Sequence, residues 1–338
     1  MQKKFITAVI LTVAVVTTAV CGGKKEIEET TATGPKAFRI GISKIVAHPA
    51  LDAVEQGIQD ELASRGIDAT FDLQNANGDV NTAAQIATKF KSDKVDAVVA
   101  IATPTAVAAA NTIKDIPIIF ATVTDPVSAG LVGPDNMGKG NVTGLSDKID
   151  VYQQLSLFKR VAKIQTLGYI YTSSEANSAS ALADVDAATK KLGIALVTQS
   201  INNSSEVKQA TEAIIGRVDG IYLTTDNTVF SALPALVSVA LANKKPIFSA
   251  DTTSAMEGGC LIASGFDYYK AGLATGKIVA DVLGGKSPSE IPVKYITEPS
   301  ETDFLIDMDT AKICGITFPQ DIIDSASKII ENGKLTTK

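Results

Sequence analysis

The sequence predicts an α/β fold of two doubly wound parallel-sheet lobes, joined by a multi-crossing hinge with a ligand cleft between them. Two observations carry this. Residues 95–125, VDAVVAIATPTAVAAANTIKDIPIIFATVTD, read as a buried strand, a polar turn, an apolar helix and a second buried strand opened by Pro117. A close echo, VDGIYLTTDNTVFSALPALVSVALANKKPIFSADTT, runs over residues 218–253 with Pro246 opening its second strand. Each copy is a β-α-β unit of a parallel sheet. Strand and helix patterns also alternate through both halves and restart near residue 150, at roughly five strands per half.

In order, residues 38–45 give a first strand, and His48-Pro49 opens a helix with Leu51, Val54, Ile58 and Leu62 at helical spacing, stopped at Gly66. A strand over 68–75 leads through Asn77-Gly78-Asp79 to a helix ending near Phe90, and the first repeat unit follows. Thr124-Asp125-Pro126 reads as the cap and first-turn proline of another helix, before a Gly-rich stretch that ends at Gly144. From Asp150 come a helix to about Val161, a strand over 167–171, a helix from Glu175 to Gly193 and a strand over 194–200. Asn203 with Glu206 resembles a capping box ahead of the second unit. A strand over 260–266, a helix over 268–283, a loop over 288–292, extended pieces over 294–298 and 304–308, and a terminal helix from about Gln320 complete the chain. The expected lobes are 37–145 plus about 267–297, and 146–266 plus about 298–338. Multiple crossings make a hinge that can close over a ligand.

The start is different. Lys3 and Lys4 precede an uncharged apolar run over 5–20, and Cys21-Gly22-Gly23 follows at once. This is the pattern of an export signal, residues 1–20, too short for a stable membrane span. Cys21 at the cleavage point argues for lipidation, although Thr18-Ala19-Val20 departs from the usual lipobox. Residues 21–36, charged and Thr-rich, read as a tether between a membrane anchor and the domain. The expected location is outside the cytoplasm, anchored as a lipoprotein.

Of 338 residues, 45% are hydrophobic and 20% charged, enough for two domains with real cores. The net charge of −6, more negative once the leader lysines are removed, makes nucleic acid a poor partner. A single His and no Cys cluster set a zinc site aside, and no metal or cofactor is expected. Cys260 and Cys314 read as free thiols, with a disulfide as the alternative. The first strand runs into IGISKIVAHP, without G-x-G-x-x-G, and no phosphate loop occurs. No nucleophile with a plausible base emerges, so an enzyme is not expected.

Superposing the two repeats places Thr103 and Thr105 opposite Asp226 and Thr228, and Thr122 opposite Asp251. All of these lie at strand carboxyl ends, where open α/β sheets bind ligands. One wall then offers hydroxyls and helix amides, the other negative charge, a pairing that suits a zwitterion such as an amino acid. Thr103-Pro104-Thr105 at a helix start can seat a carboxylate, through Thr105 or Thr103, with Thr122 or Thr124 reaching the ligand one strand over. Asp125 is expected to cap its own helix. Asp226 and Asn227 face these from the second lobe, but Asp226 has a sufficient role as a cap. Asp251, with no evident helix start after it, is the preferred ammonium partner. Asn177 and Ser178 are caps that can also touch the ligand. Phe71, Phe120, Tyr171, Phe266 and Tyr268 are the candidates for a ring pocket, most of them equally explained as core.

The segments SKIVAHPALDAVEQGI, NANGDVNTAAQIATKF, VAIATPTA, TVTDPVSAGLV, NVTGLSD, EANSAS, TTDNTVFSAL and FDYYKAG resemble, in this order, the ABC transporter substrate-binding family that includes tryptophan/tyrosine-type import lipoproteins. The resemblance covers about residues 38–320. It implies a type I periplasmic-binding fold, an amino acid, often aromatic, as ligand, and delivery to a permease driven by an ATPase; its members vary in ligand, so it supports the class better than the compound, and a monomer is expected. It also favours ligand contact or ring packing for His48 over proton transfer. A sugar or nucleoside binder of the same fold, or a ligand sensor, is the alternative; the lack of Trp and the few arginines count against a sugar.

Overall fold

The computed structural model describes residues 37–296 and 299–338. The predicted export signal, Cys21 and the tether lie outside the described residues, as do residues 297–298 at the expected lobe boundary.

The first half runs β1 (Phe38–Lys44), α1 (Pro49–Ser64), β2 (Ala69–Asn75), α2 (Val80–Ser92), β3 (Ala97–Ile101), α3 (Thr103–Thr112), β4 (Ile118–Ala121) and β5 (Val142–Ser146). The second half adds α4 (Val151–Ala162), β6 (Thr166–Thr172), α5 (Ala176–Leu192), β7 (Ala195–Ile201), α6 (Val207–Ile215), β8 (Gly220–Leu223), α7 (Asn227–Ser231), α8 (Leu233–Ala242), β9 (Ile247–Asp251), α9 (Thr252–Ala255) and β10 (Ile262–Phe266). Then come α10 (Tyr268–Leu283), β11 (Lys294–Tyr295), β12 (Thr302–Asp307), α11 (Met308–Cys314), α12 (Gln320–Ser325), β13 (Lys328–Glu331) and β14 (Lys334–Thr337).

These strands form two sheets. The first has the order β11-β5-β4-β3-β1-β2 and is parallel throughout. The second has the order β14-β13-β12-β10-β9-β8-β6-β7, with antiparallel pairs only at β10/β12 and β13/β14. β3, β4 and β8 are buried along their whole length and read as unbroken apolar runs; β9 is buried too but ends in Ser249 and Asp251 around Ala250. The chain passes between sheets after β5, after β10 and after β11.

The return after β10 is held by close helix packing. A Cβ on Gly57 of α1 would lie 2.4 Å from the Tyr269 carbonyl oxygen, and one on Gly272 of α10 2.4 Å from the Val54 carbonyl oxygen. Only glycine at these positions lets the two helices meet backbone to backbone. That contact brings Tyr268, the first residue of α10, to the same end of the first lobe as His48, the N-cap of α1.

Three expectations fail locally. Residues 126–130 after Asp125 form turns and no helix; Asp125 accepts from the Ser128 amide at 2.9 Å and pairs with Lys148 at 2.8 Å. The helix of the second repeat breaks at Ala232 into α7 and α8, because Pro234 has no N–H and its ring clashes with the carbonyl one turn back. The terminal helix is a single short element, α12, followed by the β13/β14 hairpin. Asn332 and Gly333 turn that hairpin with φ of +53° and +68°, the primed geometry that Asn-Gly favours. Cys260 and Cys314 are both free; Cys260 is buried and Cys314 half-buried.

Candidate functional site

The parallel register lines up strand ends. Lys44 of β1 sits beside Ile101 of β3, and Ile101 beside Ala121 of β4, so the next residues of all three leave the sheet together. They face the corresponding ends of β6, β8 and β9 across a narrow, largely enclosed cavity. From the first lobe come His48, Leu51, Thr103, Thr122 and Thr124; from the second, Asn177, Thr225, Asn227, Phe230 and Asp251. Asp147 and Tyr268, each just past a crossing of the chain between sheets, close it.

The first-lobe wall is built from strained turns. Ala102 (φ +79°) and Thr122 (φ +52°) both take left-handed backbone conformations that cost on the order of 1–3 kcal/mol each. α3 starts without a side-chain cap, and its first internal bond runs from the Ala106 amide to the Ala102 carbonyl. The amides of Thr103 and Thr105 precede it, at the positive end of the helix. Thr103 Oγ1 is buried and has no partner.

The rest of the lining is rich in acceptors, Asp251 from the second lobe and Asp147 from the end of β5. Asp251 is buried, and burial pushes its carboxyl up to about 6 against the pull of its bonds from Ser254. Burial does the same to Asp147, also raised to about 6, despite hydrogen bonds from the Tyr268 hydroxyl (3.1 Å) and Thr124 Oγ1 (3.3 Å); the Asp251 charge adds to the rise. No Lys or Arg among the described residues lines the cavity. His48 is 7% exposed, both its ring nitrogens lack partners, and burial lowers it to about 4, so it is neutral at pH 7. Its ring lies 6.1 Å from that of Phe230 across the cleft. Asn177 Oδ1 is likewise buried and unpartnered.

Behind Asn177 stands Glu175, whose carboxylate accepts from Asn177 Nδ2 (3.0 Å) and Asn227 Nδ2 (2.6 Å) on one oxygen and from Thr228 N (3.1 Å) and Oγ1 (2.7 Å) on the other. Burial raises its pKa, and the nearby Asp226 adds to that. The lobes also touch directly: Thr124 Oγ1 lies 2.9 Å from Thr225 Oγ1. Because an ionised Asp147 can only accept, Thr124 donates to it and receives from Thr225.

Of the residues singled out in the sequence, His48, Thr103, Thr122, Thr124, Asn177, Asn227 and Asp251 surround this one cavity. Thr105, Ser178 and Asp226 do not. Thr105 Oγ1 bonds the carbonyls of Ile101 (2.6 Å) and Ala102 (2.9 Å), which leaves only its amide near the cleft. Asp226 is consumed within its lobe, accepting from Thr172 N, Thr172 Oγ1, Ser178 Oγ and Val229 N. Asp251 does cap a helix, the four-residue α9, through the Ser254 amide at 3.0 Å, contrary to expectation. Of the ring candidates Tyr268 alone lines the cavity; Phe120 and Phe266 belong to the first-lobe core, which Phe71 packs against, and Tyr171 stacks on Tyr169. Sequence reasoning missed Asp147, Thr225 and Phe230, and read Leu51 only as a core position of the first helix. Asp147 follows β5 directly, in the quoted segment NVTGLSD, and its position just past a strand end was the available signal.

Residues 39–330 match the family described as ABC transporter substrate binding protein. A protein of Clostridioides difficile named tyrosine-binding protein is 41% identical over 282 residues, covering 82% of this chain and 81% of that one. Two solved structures compare instructively. The ABC domain in complex with L-Trp from Streptococcus pneumonia superposes with a TM-score of 0.83 at 34% identity, covering 87% of this chain and all of that one. The ligand-free, open structure of a substrate-binding protein with adhesive properties from Clostridium difficile gives 0.62 at 38% identity, covering 84% and 97%. Similar sequence distance with so different a superposition, together with the Thr124–Thr225 and His48–Phe230 contacts, describes a closed arrangement of the lobes.

Proposed function

The chain belongs to the ABC transporter substrate-binding protein family, and from that premise we propose that it captures a zwitterionic aromatic amino acid in the interlobe cavity and delivers it to a membrane permease. It is a binding protein and no enzyme. Proteins of this family act outside the cytoplasm, and Cys21, as a lipidated anchor, would tether the domain to the membrane.

The observation that supports a zwitterion is the cavity's charge imbalance: Asp147 and Asp251 are buried in it with no lining Lys or Arg among the described residues. Two desolvated carboxylates without a cation are costly. A ligand ammonium between them would offset that cost through charge-assisted bonds. The carboxylate end would then lie on Thr103 Oγ1 and the amides of Thr103 and Thr105, with Thr122 close by. His48, Leu51, Phe230 and Tyr268 would enclose the side chain, a lining of rings and one aliphatic group that suits an aromatic ligand. The names of the relatives, one tyrosine-binding and one holding L-Trp, favour the same class.

Calorimetric titration of the ligand-stripped domain with the twenty amino acids tests the reading. Binding of L-tyrosine or L-tryptophan is expected. No binding tighter than about 100 μM, roughly −5.5 kcal/mol, overturns it.

A further inference from the structure

We propose that Glu175, which does not line the cavity, is the positioning residue that turns the second-lobe wall into an all-acceptor seat for the ligand's ammonium group, by fixing the orientation of both Asn177 and Asn227. This rests on the amino-acid reading above.

Thr228 N is a backbone amide and can only donate, so the Glu175 atom facing it must be an oxygen that accepts. The other carboxylate oxygen then faces both Asn177 and Asn227. Four donors face this carboxylate, which in its ionised form has no proton to give, so each asparagine presents Nδ2 to it and turns Oδ1 away. The Asn177 amide is pinned a second time by the Thr225 carbonyl, which accepts from Nδ2 at 3.0 Å. Its Oδ1 is left buried without a partner at the cavity edge. The second-lobe wall therefore carries the free Asn177 carbonyl-type oxygen beside the Asp251 carboxylate, with Asp147 at the end of β5 closing the same cavity, and that set matches a ligand group that only donates.

Glu175→Gln inverts this logic at constant shape. Thr228 N still demands the oxygen, so the new amide nitrogen faces Asn177 and Asn227. Asn227 must then turn Oδ1 toward it and offer N–H groups to the cavity, while Asn177 is caught between the new donor and the Thr225 carbonyl and loses its fixed orientation. A donor wall repels an ammonium and is indifferent to a ligand that lacks one.

The experiment measures the affinities of L-tyrosine and its des-amino analogue 3-(4-hydroxyphenyl)propanoate for the wild-type protein and for E175Q, with circular dichroism to confirm folding. The expected result is that the preference for L-tyrosine falls at least tenfold in E175Q, while the des-amino acid binds within about twofold of its wild-type affinity. A folded E175Q that keeps the wild-type preference overturns the role of Glu175 and leaves the amino-acid reading standing. A wild-type protein that binds neither L-tyrosine nor L-tryptophan overturns that reading and this role with it. Should E175Q not fold, Asn177→Ala decides: selective loss of L-tyrosine supports the acceptor wall, and equal loss of both ligands, or none, overturns it.

Discussion

The two lobes are built from the same β-α-β unit, yet they finish it in opposite ways. In the first lobe, α3 starts at an uncapped Ala102 with φ of +79°, and its leading amides stay open toward the cleft. In the second, each matching helix start is filled by the protein's own carboxylate: Asp226 caps α7 and Asp251 caps α9. Open helix ends attract anions, whereas the second lobe fills its own, and Asp251 carries negative charge into the cavity. Two copies of one fold unit can therefore give a polar axis across a shared site, by changing only the residues that follow the strands.

The largest test of that contrast removes charge from the acidic wall. Asp147→Asn and Asp251→Asn each keep shape while deleting a buried carboxylate that would face the ligand's ammonium. Each is expected to weaken L-tyrosine binding by about 30-fold or more, since losing one partner of a buried charge pair costs about 2–5 kcal/mol. The ligand-free protein should melt at the same temperature or higher, because the charge removed was desolvated and unpaired.

Acidification neutralises the same wall without mutation. In the folded chain Asp147 and Asp251 lie at about 6, above their ordinary value of 3.8, and Glu175 is raised as well. These groups take up protons on folding between pH 7 and 5, which makes the ligand-free protein more stable as pH falls. His48, lowered to about 4, acts in the opposite direction, but the carboxylates outnumber it. The melting temperature should thus rise from pH 7 to pH 5 while affinity for L-tyrosine falls, by about tenfold for each carboxylate that must lose a proton at pH 5. Affinity constant over that range would contradict the charged wall.

On the opposite wall the effects are smaller. Thr103→Val deletes an unpartnered hydroxyl and should weaken L-tyrosine by about five- to tenfold, roughly 1 kcal/mol for a lost hydrogen bond, with no loss of melting temperature. Ala102→Gly relieves the strained turn and should stabilise the chain by about 1 kcal/mol in denaturant titration.

The fold was legible because it rests on local patterns: apolar runs for buried strands, prolines at their starts, and one unit used twice. The failures were also local. Asn332-Gly333 is a strong hairpin signal, but the terminal segment reads as helix if the turn residues are passed over. Pro234 breaks a helix whose apolar pattern runs on through it.

The candidate site was legible only to the level of strand ends. The sequence places Asp226 and Asp251 at equivalent positions, yet the use of each depends on neighbours from other elements. Thr172 and Ser178 saturate Asp226, whereas Asp251 receives only from its own helix start. Asp147 lies in a crossing segment that the repeat comparison does not contain, so no paired residue drew attention to it.

The most direct measurement of the polar axis is a crystal structure of the domain with L-tyrosine bound. The account predicts the ligand carboxylate within hydrogen-bond distance of Thr103 Oγ1 and the α3 amides, and the ammonium between Asp147 and Asp251. A ligand seated the other way round, or held outside this cavity, would contradict it.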